Sequence, residues 1–154
     1  MRTAKILTYD DILPIQEGDS REPLVDVRTY DNSIMAQYEK FDMVPYAGFD
    51  ILVRDTVARK LAAVNARLKA NYTMTLKIVY GYRTTDVQKN YFETMQAKLR
   101  VENPSFSPDE LRRLTHNFVA APEIAGHITG GAIDVTLATL DGTLCDMGTG
   151  IADY

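Results

Sequence analysis

One stretch of the sequence holds most of the information about the fold and the site: Gly126-His127-Ile128-Thr129-Gly130-Gly131-Ala132-Ile133-Asp134-Val135-Thr136-Leu137. It sets one imidazole and one carboxylate seven positions apart, with two glycines between them. Glycine adopts tight backbone turns without steric cost, so the two side chains can converge on one point. The second half of the stretch alternates enough to predict a strand, which would hold Asp134 on a rigid element.

His127 and Asp134 are candidate ligands of a metal ion. Zinc accepts imidazole nitrogen and carboxylate oxygen, and a catalytic zinc site takes about three protein ligands. This stretch therefore supplies two ligands and leaves one to be found. Spacing alone also fits a simpler interpretation, in which the two side chains are solvated or joined by an ordinary hydrogen bond.

Hydrophobic periodicity predicts the elements that precede this stretch. A helix is expected over residues 55–70, because apolar residues recur at spacings of three and four: Val57, Leu61, Val64 and Leu68. Asn71 is expected to close that helix in a left-handed turn. The run from Met74 to Tyr80 predicts a buried strand.

Capping residues predict two further helices and a turn. Thr84 or Thr85 is expected to cap a helix that continues to about Arg100. A third helix is expected to begin at Ser107, where a proline and Glu110 complete a capping box. Asp141-Gly142 is typical of a hairpin turn. Together these elements predict a single domain over residues 1–154, an α+β fold with helices packed on one side of a mainly antiparallel sheet.

Composition excludes several classes of protein from the leading hypotheses. The chain is 45% hydrophobic and 25% charged, and its formal charge of -4 argues against a nucleic-acid partner. No apolar run of 18 residues exists that would predict a membrane helix. The single cysteine, Cys145, excludes an internal disulfide and fits a reducing compartment, so a cytoplasmic location is expected.

The glycine-rich stretch resembles the Ser-x-His-x-x-Gly-x-Ala-x-Asp signature of the zinc D-peptidases, a group that includes D-alanyl-D-alanine dipeptidases and D,D-carboxypeptidases. His127, Gly130, Ala132 and Asp134 match the signature, whereas Ala125 stands at the serine position. The resemblance implies that His127 and Asp134 bind zinc.

Three further segments resemble the same family and follow its order along residues 24 to 150. Gly81-Tyr82-Arg83 is similar to the end of an Asp-Gly-Tyr-Arg segment, with Tyr80 in place of the aspartate. Cys145 precedes a segment similar to Asp-Met-Gly-Thr, typical of the vancomycin-resistance-type dipeptidases. A looser match to an early Asp-x-Arg-Tyr region of that branch covers residues 26–32. The combination favours the dipeptidase branch.

This resemblance implies zinc-dependent hydrolysis of D-Ala-D-Ala-type dipeptides, in peptidoglycan precursor turnover or glycopeptide resistance. Arg83 would stabilise the tetrahedral intermediate, a role that suits a guanidinium in a loop after a strand. Asp146 would shape the substrate pocket near the amino terminus of the dipeptide. On sequence alone, Asp146 is better interpreted as a turn residue that bonds its own backbone.

The family's Glu-x-x-His motif, which supplies the third zinc ligand and the general base, is not found in the sequence. His116, the only other histidine, is expected at the end of the third helix, near its C-terminal dipole. The chain is therefore interpreted as the N-terminal portion of a zinc D-dipeptidase, active only with a C-terminal fragment or partner chain that contains Glu-x-x-His. It would be a cleaved fragment, one subunit of a split enzyme or a truncated relative.

Two further functions remain open. One is a D,D-carboxypeptidase or another cell-wall peptidase with the same metal signature. The second is a non-catalytic binding module, which the missing glutamate and histidine would favour if no complementing chain exists.

Overall fold

The computed structural model describes residues 7–15, 18 and 21–148. Within this part the elements are, in chain order, α1 (Tyr9–Ile12), β1 (Leu24–Asp26), β2 (Met35–Ala36), a 3-10 turn (Phe41–Met43), α2 (Val44–Ala47), β3 (Leu52–Arg54), α3 (Asp55–Tyr72), β4 (Met74–Tyr80), α4 (Thr85–Glu102), α5 (Pro108–His116), two 3-10 turns (Pro122–Ile124 and Gly126–Thr129) and β5 (Asp134–Thr139). The mixture of helices and strands confirms the α+β prediction.

The chain forms two compact units. Of the described residues, the helical unit comprises 7–15, 18, 21 and 88–125, and the sheet unit comprises 22–87 and 126–148. The sheet unit contains all four residues that the sequence selected as site candidates: Arg83, His127, Asp134 and Asp146. The prediction of a single domain over residues 1–154 stays a prediction, and the two units are described separately.

Strand β4 is the centre of the larger sheet in the sheet unit. It pairs with β2 in parallel and with β5 in antiparallel orientation, while β1 and β3 form a separate antiparallel pair. Strand β4 matches the predicted run of residues 74–80, and its apolar side chains are buried because both neighbours and α3 cover it. The strand predicted over residues 132–137 begins two residues later, at Asp134.

The β4–β5 register places the end of one strand beside the start of the other. Leu76 pairs with Leu137, and after an irregularity that follows Ile78, Tyr80 pairs with Asp134. The hairpin turn predicted at residues 141–142 is confirmed, since the Thr139 amide donates to the Thr143 carbonyl at 2.8 Å. Asp134 is therefore held at the start of a strand that is paired on the β4 side.

Helix α3 confirms the predicted helix but ends later than expected. Thr73, not Asn71, adopts the left-handed conformation, with a φ of 57°. Asn71 and Tyr72 continue the helix, and the chain turns only at Thr73, immediately before β4 begins at Met74. Leu61 lies on the buried face as predicted, whereas Val64 is 47% exposed.

Both predicted helix caps are present. The hydroxyl of Thr84 accepts a hydrogen bond from the Val87 amide at 3.3 Å, at the start of α4. Ser107 and Glu110 form the expected capping box at the start of α5. Such caps satisfy amides that have no partner within the helix. Within the described residues, no helix has the length and apolar character that a membrane crossing requires.

In the helical unit, His116 serves as a hydrogen-bond acceptor. Its Nδ1 accepts from the Ala121 amide at 3.1 Å, so this nitrogen is unprotonated. Burial lowers the pKa of His116, and the charge of Arg112 lowers it further, although Glu123 opposes the shift. A neutral imidazole gains little from a helix dipole, so the expected dipole interaction is wrong and local hydrogen bonding replaces it.

A buried asparagine ties α3 to the start of β4. Asn65 is fully buried, and its side-chain oxygen accepts from the Leu76 amide at 2.8 Å and from the Thr75 hydroxyl at 2.9 Å. Its amide nitrogen donates to Asp31 at 2.8 Å. These groups lie wholly or partly away from bulk water, so water cannot readily replace the hydrogen bonds of Asn65. The Asn65 side chain therefore fixes the position of β4, the strand that leads to the site.

We expect Asn65→Ala to lower the free energy of unfolding by about 2–3 kcal/mol, because it leaves buried donors and acceptors without partners. Urea unfolding followed by circular dichroism measures the change. Asn71→Ala, at an exposed position of the same helix, is the matched control and should shift the free energy by less than about 0.5 kcal/mol. Equal losses for the two variants would contradict this role of Asn65.

Candidate metal centre

Three short segments bring His127, Asp134 and Arg83 together. His127 lies in the 3-10 turn of residues 126–129, Asp134 opens β5, and Arg83 follows β4 in the loop before α4. The Arg83 amide donates to the His127 carbonyl at 3.1 Å, which fixes the loop against the turn. The structure thus brings together three of the four candidate residues.

The ring of His127 is oriented by the backbone. Its Nδ1 lies 2.7 Å from the carbonyl oxygen of Gly81. Because a carbonyl oxygen only accepts, Nδ1 donates this hydrogen bond, and Nε2 is the ring nitrogen left to bind a metal ion. Metal-binding histidines commonly have their second ring nitrogen fixed in this way.

Position 81 must be glycine for this contact to form. A Cβ at Gly81 would collide with the carbonyl oxygen of Leu52. That carbonyl also accepts from the Tyr82 amide at 2.6 Å, so β3 and the loop after β4 are in close contact. A side chain here would push the Gly81 carbonyl away from the ring of His127.

Asp134 faces Nε2, the other ring nitrogen of His127. Its Oδ1 lies 3.5 Å from His127 Nε2. Two ligand atoms on one tetrahedral zinc ion, each about 2.0–2.1 Å from the metal, are separated by about 3.3 Å. The observed distance of 3.5 Å is close to this separation, and it also fits an ion pair between the two side chains. The pair therefore has the donor atoms and the separation that a zinc ion requires.

Asp134 is ionised at neutral pH. Burial raises its pKa, but the hydrogen bond and charge of His127, together with the positive charges of Arg83 and Lys40, outweigh that effect, so the net pKa is lowered. Its side chain remains 46% exposed, so the carboxylate is accessible from solvent. An ionised, accessible carboxylate can bind a cation without first losing a proton.

Arg83 completes the cluster from the other side. Its terminal nitrogen lies 3.9 Å from Asp134 Oδ2, the oxygen that does not face His127, and the side chain is only 12% exposed. The guanidinium lies over the ring of Tyr80, with 4.4 Å between its central carbon and the ring centroid. A largely buried, oriented guanidinium can donate hydrogen bonds to a carboxylate or to a developing oxyanion.

Asp146 does not join this cluster through the contacts that the structure describes. It is exposed, and its carboxylate accepts from the Gly148 amide at 2.7 Å. This is the local turn that the sequence also allowed. Thr149, the last residue of the matching segment, lies outside the described residues. The substrate-binding role of Asp146 stays a prediction.

The third ligand is not found in the part of the chain that the structure describes. Residues 7–15, 18 and 21–148 contain no group of three or more His, Cys, Asp or Glu side chains that could hold a metal ion. The sequence has only two histidines, and His116 belongs to the helical unit. His127 and Asp134 fit zinc in chemistry and separation, but they form an incomplete coordination shell.

Two contributors to the site escape detection in the sequence. One is the Gly81 carbonyl, which no side-chain pattern reveals. The second is Tyr80, whose ring lies against both Arg83 and His127, with 6.0 Å between the Tyr80 and His127 ring centroids. The sequence offers one indication of this role, which is that Tyr80 directly precedes the Gly-Tyr-Arg segment. At that position, however, Tyr80 replaces the aspartate of the family pattern, and this replacement suggests a lost aspartate function rather than a new role for tyrosine.

Comparison with known proteins gives a structural likeness without a sequence match. No protein-family model matches the sequence, and no curated protein matches it. A solved structure of VanYB in complex with D-alanine-D-alanine is similar in fold, with a TM-score of 0.53 and 15% identity over 89% of this chain and 64% of that one. A vancomycin-resistance D,D-pentapeptidase VanY mutant in complex with zinc gives a TM-score of 0.48 and 17% identity over 75% and 58% of the two chains.

The likeness to VanYB shows a shared fold and confirms the α+β class. The chain spans less than two-thirds of the length of either solved structure, 58% of one and 64% of the other. Activity, substrate and partners of the whole protein are therefore matters for proposal.

Gly130 is the turn residue on which the approach of His127 to Asp134 depends. Its φ is +73°, a conformation that side chains disfavour, and a Cβ would lie 2.5 Å from the Leu24 side chain. Its carbonyl also accepts from the Arg54 amide at 3.0 Å. Gly131 has no positive φ, and a Cβ there would meet only the Thr129 hydroxyl, at 3.1 Å.

We expect Gly130→Ala to lower the free energy of unfolding by about 1–3 kcal/mol, because it combines backbone strain with a steric clash. Gly131→Ala, one residue away, is the matched control and should cost less. Chemical denaturation of both variants makes the comparison. If Gly131→Ala proves the more damaging, the turn depends on a different glycine from the one that the geometry selects.

Proposed function

We propose that this chain is part of a zinc-dependent D,D-peptidase that hydrolyses D-Ala-D-Ala-type substrates. One observation supports the proposal above all others: Nε2 of His127, whose ring is oriented by the hydrogen bond from Nδ1 to the Gly81 carbonyl, lies 3.5 Å from Asp134 Oδ1. This is the arrangement expected of two zinc ligands. Arg83 lies beside them, where a polarised carbonyl would need a cationic donor.

His127 and Asp134 would hold the zinc ion, and the low pKa of Asp134 keeps its carboxylate ready for binding. When bound, zinc supplies Lewis-acid polarisation of the substrate carbonyl and an activated water at neutral pH. Arg83 would donate hydrogen bonds to the oxygen on which negative charge develops. Its low exposure favours this role, because a donor shielded from water interacts more strongly with charge.

The described residues contain no complete group of metal-binding side chains, so a third zinc ligand would come from elsewhere. We propose that a C-terminal fragment or a partner chain supplies this ligand, and the general base, through a Glu-x-x-His motif. The glutamate of such a motif would take a proton from the attacking water and pass it to the leaving amine.

The preferred substrate is proposed to be the free dipeptide D-Ala-D-Ala. VanYB, which shares the fold, has been solved in complex with D-alanine-D-alanine. The segment Asp146-Met147-Gly148 resembles the dipeptidase branch, and Asp146 would help to shape the pocket at the amino terminus of the dipeptide. The role would be peptidoglycan precursor turnover or glycopeptide resistance, in the cytoplasm.

A D,D-carboxypeptidase is the second candidate. A non-catalytic binding module, the third candidate, would share the fold but not the chemistry. Assays of the intact protein with free D-Ala-D-Ala and with a longer peptide ending in D-Ala-D-Ala would separate the dipeptidase from the carboxypeptidase. A non-catalytic binding module is indicated instead if zinc fails to bind the intact protein and neither substrate is cleaved.

We expect His127→Ala to weaken zinc binding to the intact protein by more than about 100-fold, beyond the loss of about 10–100-fold that is typical of removing an outer-shell partner. Zinc affinity is measured by competition with a chelating dye. His116→Ala removes the only other histidine and is the matched control, with zinc affinity unchanged. Unaltered zinc affinity in His127→Ala would show that the metal binds elsewhere.

We expect Arg83→Ala to lower kcat by about 10²–10³ with a smaller effect on KM, because its hydrogen bond strengthens in the transition state. Steady-state hydrolysis of the preferred D-Ala-D-Ala substrate by the zinc-loaded intact protein measures both constants. A rise in KM at constant kcat would instead identify Arg83 as a clamp for the ground-state carboxylate, and the proposed catalytic role would be wrong.

A further inference from the structure

We infer that Tyr80 is a positioning residue that orients Arg83 for catalysis. The inference rests on the proposed function, because it assigns Tyr80 a task only if Arg83 acts on the substrate. Tyr80 is the last residue of β4 and is only 4% exposed, so its ring is enclosed by the protein. It neither ligates a metal nor needs to contact the substrate.

One residue contacts all three polar members of the cluster. The backbone of Tyr80 is the ladder partner of Asp134. Its ring lies beneath the guanidinium of Arg83, with the central carbon 4.4 Å from the centroid. The ring of His127 meets it edge to face, with 6.0 Å between centroids and an angle of 86° between the planes.

The ring fixes the guanidinium in a way that a hydrogen-bond acceptor would not. A ring face attracts the cation without accepting any of its N–H groups. An aspartate, the residue at this position in the segment that residues 81–83 resemble, would instead accept hydrogen bonds from Arg83. Arginine has many rotamers, and holding it in one of them before the reaction avoids an entropic cost in the transition state.

The ring of Tyr80 is itself anchored from behind. Its hydroxyl donates to Asp42 Oδ1 at 2.6 Å. The ring of Tyr38 packs against it edge to face, with 5.4 Å between centroids, and the Tyr38 hydroxyl donates to the Asp50 carbonyl at 3.0 Å. A functional side chain keeps its geometry only when its supporting residues are also locked by packing and hydrogen bonds.

The ring should therefore matter more than the hydroxyl. Tyr80→Phe keeps the face under Arg83 and the edge toward His127, and it removes only the hydrogen bond to Asp42. Tyr80→Leu removes the aromatic face. Ile78→Val, a fully buried position of the same strand, is the control for a small loss of core packing that does not reach the cluster.

The first test is a double-mutant cycle on the zinc-loaded intact protein with the D-Ala-D-Ala substrate that the wild type cleaves. Tyr80→Leu should lower kcat about tenfold with KM and zinc affinity changed less than about threefold, as expected from the loss of a cation–π contact. Tyr80→Phe should retain kcat within about threefold, and Ile78→Val should match the wild type. In an Arg83→Ala background, Tyr80→Leu should cause no further loss of kcat.

A tenfold loss that persists in the Arg83→Ala background would overturn the inference, because Tyr80 would then act independently of Arg83. A loss in Tyr80→Phe as large as in Tyr80→Leu would also overturn it, since the ring face would not be the active feature.

A second measurement does not depend on activity. In the NMR spectrum, the side-chain protons of Arg83 should be shifted upfield by the Tyr80 ring in the wild type and in Tyr80→Phe, and should lose that shift in Tyr80→Leu. If the wild type cleaves no D-Ala-D-Ala substrate, the proposed function fails, and the positioning role fails with it. If it cleaves the substrate but Arg83 shows no ring-dependent shift, only the inference about Tyr80 fails.

Discussion

The hydrogen bond between His127 Nδ1 and the Gly81 carbonyl is the interaction on which the site depends. It joins residues 46 positions apart in the chain, and it sets the direction of the imidazole. Because Nδ1 is engaged in this bond, Nε2 is the ring nitrogen that faces Asp134. The contact is possible only because β3 and the loop after β4 approach more closely than any side chain at position 81 would allow.

The rest of the sheet unit supports this contact. Asn65 fixes α3 to the beginning of β4, and the antiparallel ladder with β5 places Asp134 opposite Tyr80 at its end. The carbonyl that orients His127 and the carboxylate that faces it therefore lie at the adjoining ends of two paired strands. A shift of one residue in this register would turn Asp134 to the other face of the sheet, because side chains alternate along a strand.

The regular elements were more predictable from the sequence than the site. The period of apolar residues predicted both ends of β4, and capping chemistry predicted the start of α5, because both depend on local interactions. The end of α3 was misplaced by two residues, since a left-handed Thr73 has no strong local signal. The predicted dipole interaction of His116 was wrong because His116 instead accepts a hydrogen bond from the Ala121 amide, which belongs to the loop after its own helix.

The site was predicted only in part. Residue type and spacing selected His127 and Asp134, and the structure brings the two side chains to 3.5 Å. Their role as zinc ligands stays a prediction, as do the roles of Arg83 and Asp146. The Gly81 carbonyl and the ring of Tyr80 were missed because they act through backbone geometry and tertiary packing, which a linear pattern does not encode.

The charges of the cluster bear on the zinc site that we propose. The contact with His127 and the positive charges of Arg83 and Lys40 surround one carboxylate, that of Asp134, and lower its pKa. A zinc ion would add two further positive charges to a partly buried site. Concentrated positive charge of this kind favours an additional carboxylate nearby, because like charges in a low-dielectric environment repel strongly. If zinc binds here as we propose, a glutamate would be the electrostatically favoured general base, and a neutral third ligand such as histidine would leave that glutamate free to accept a proton.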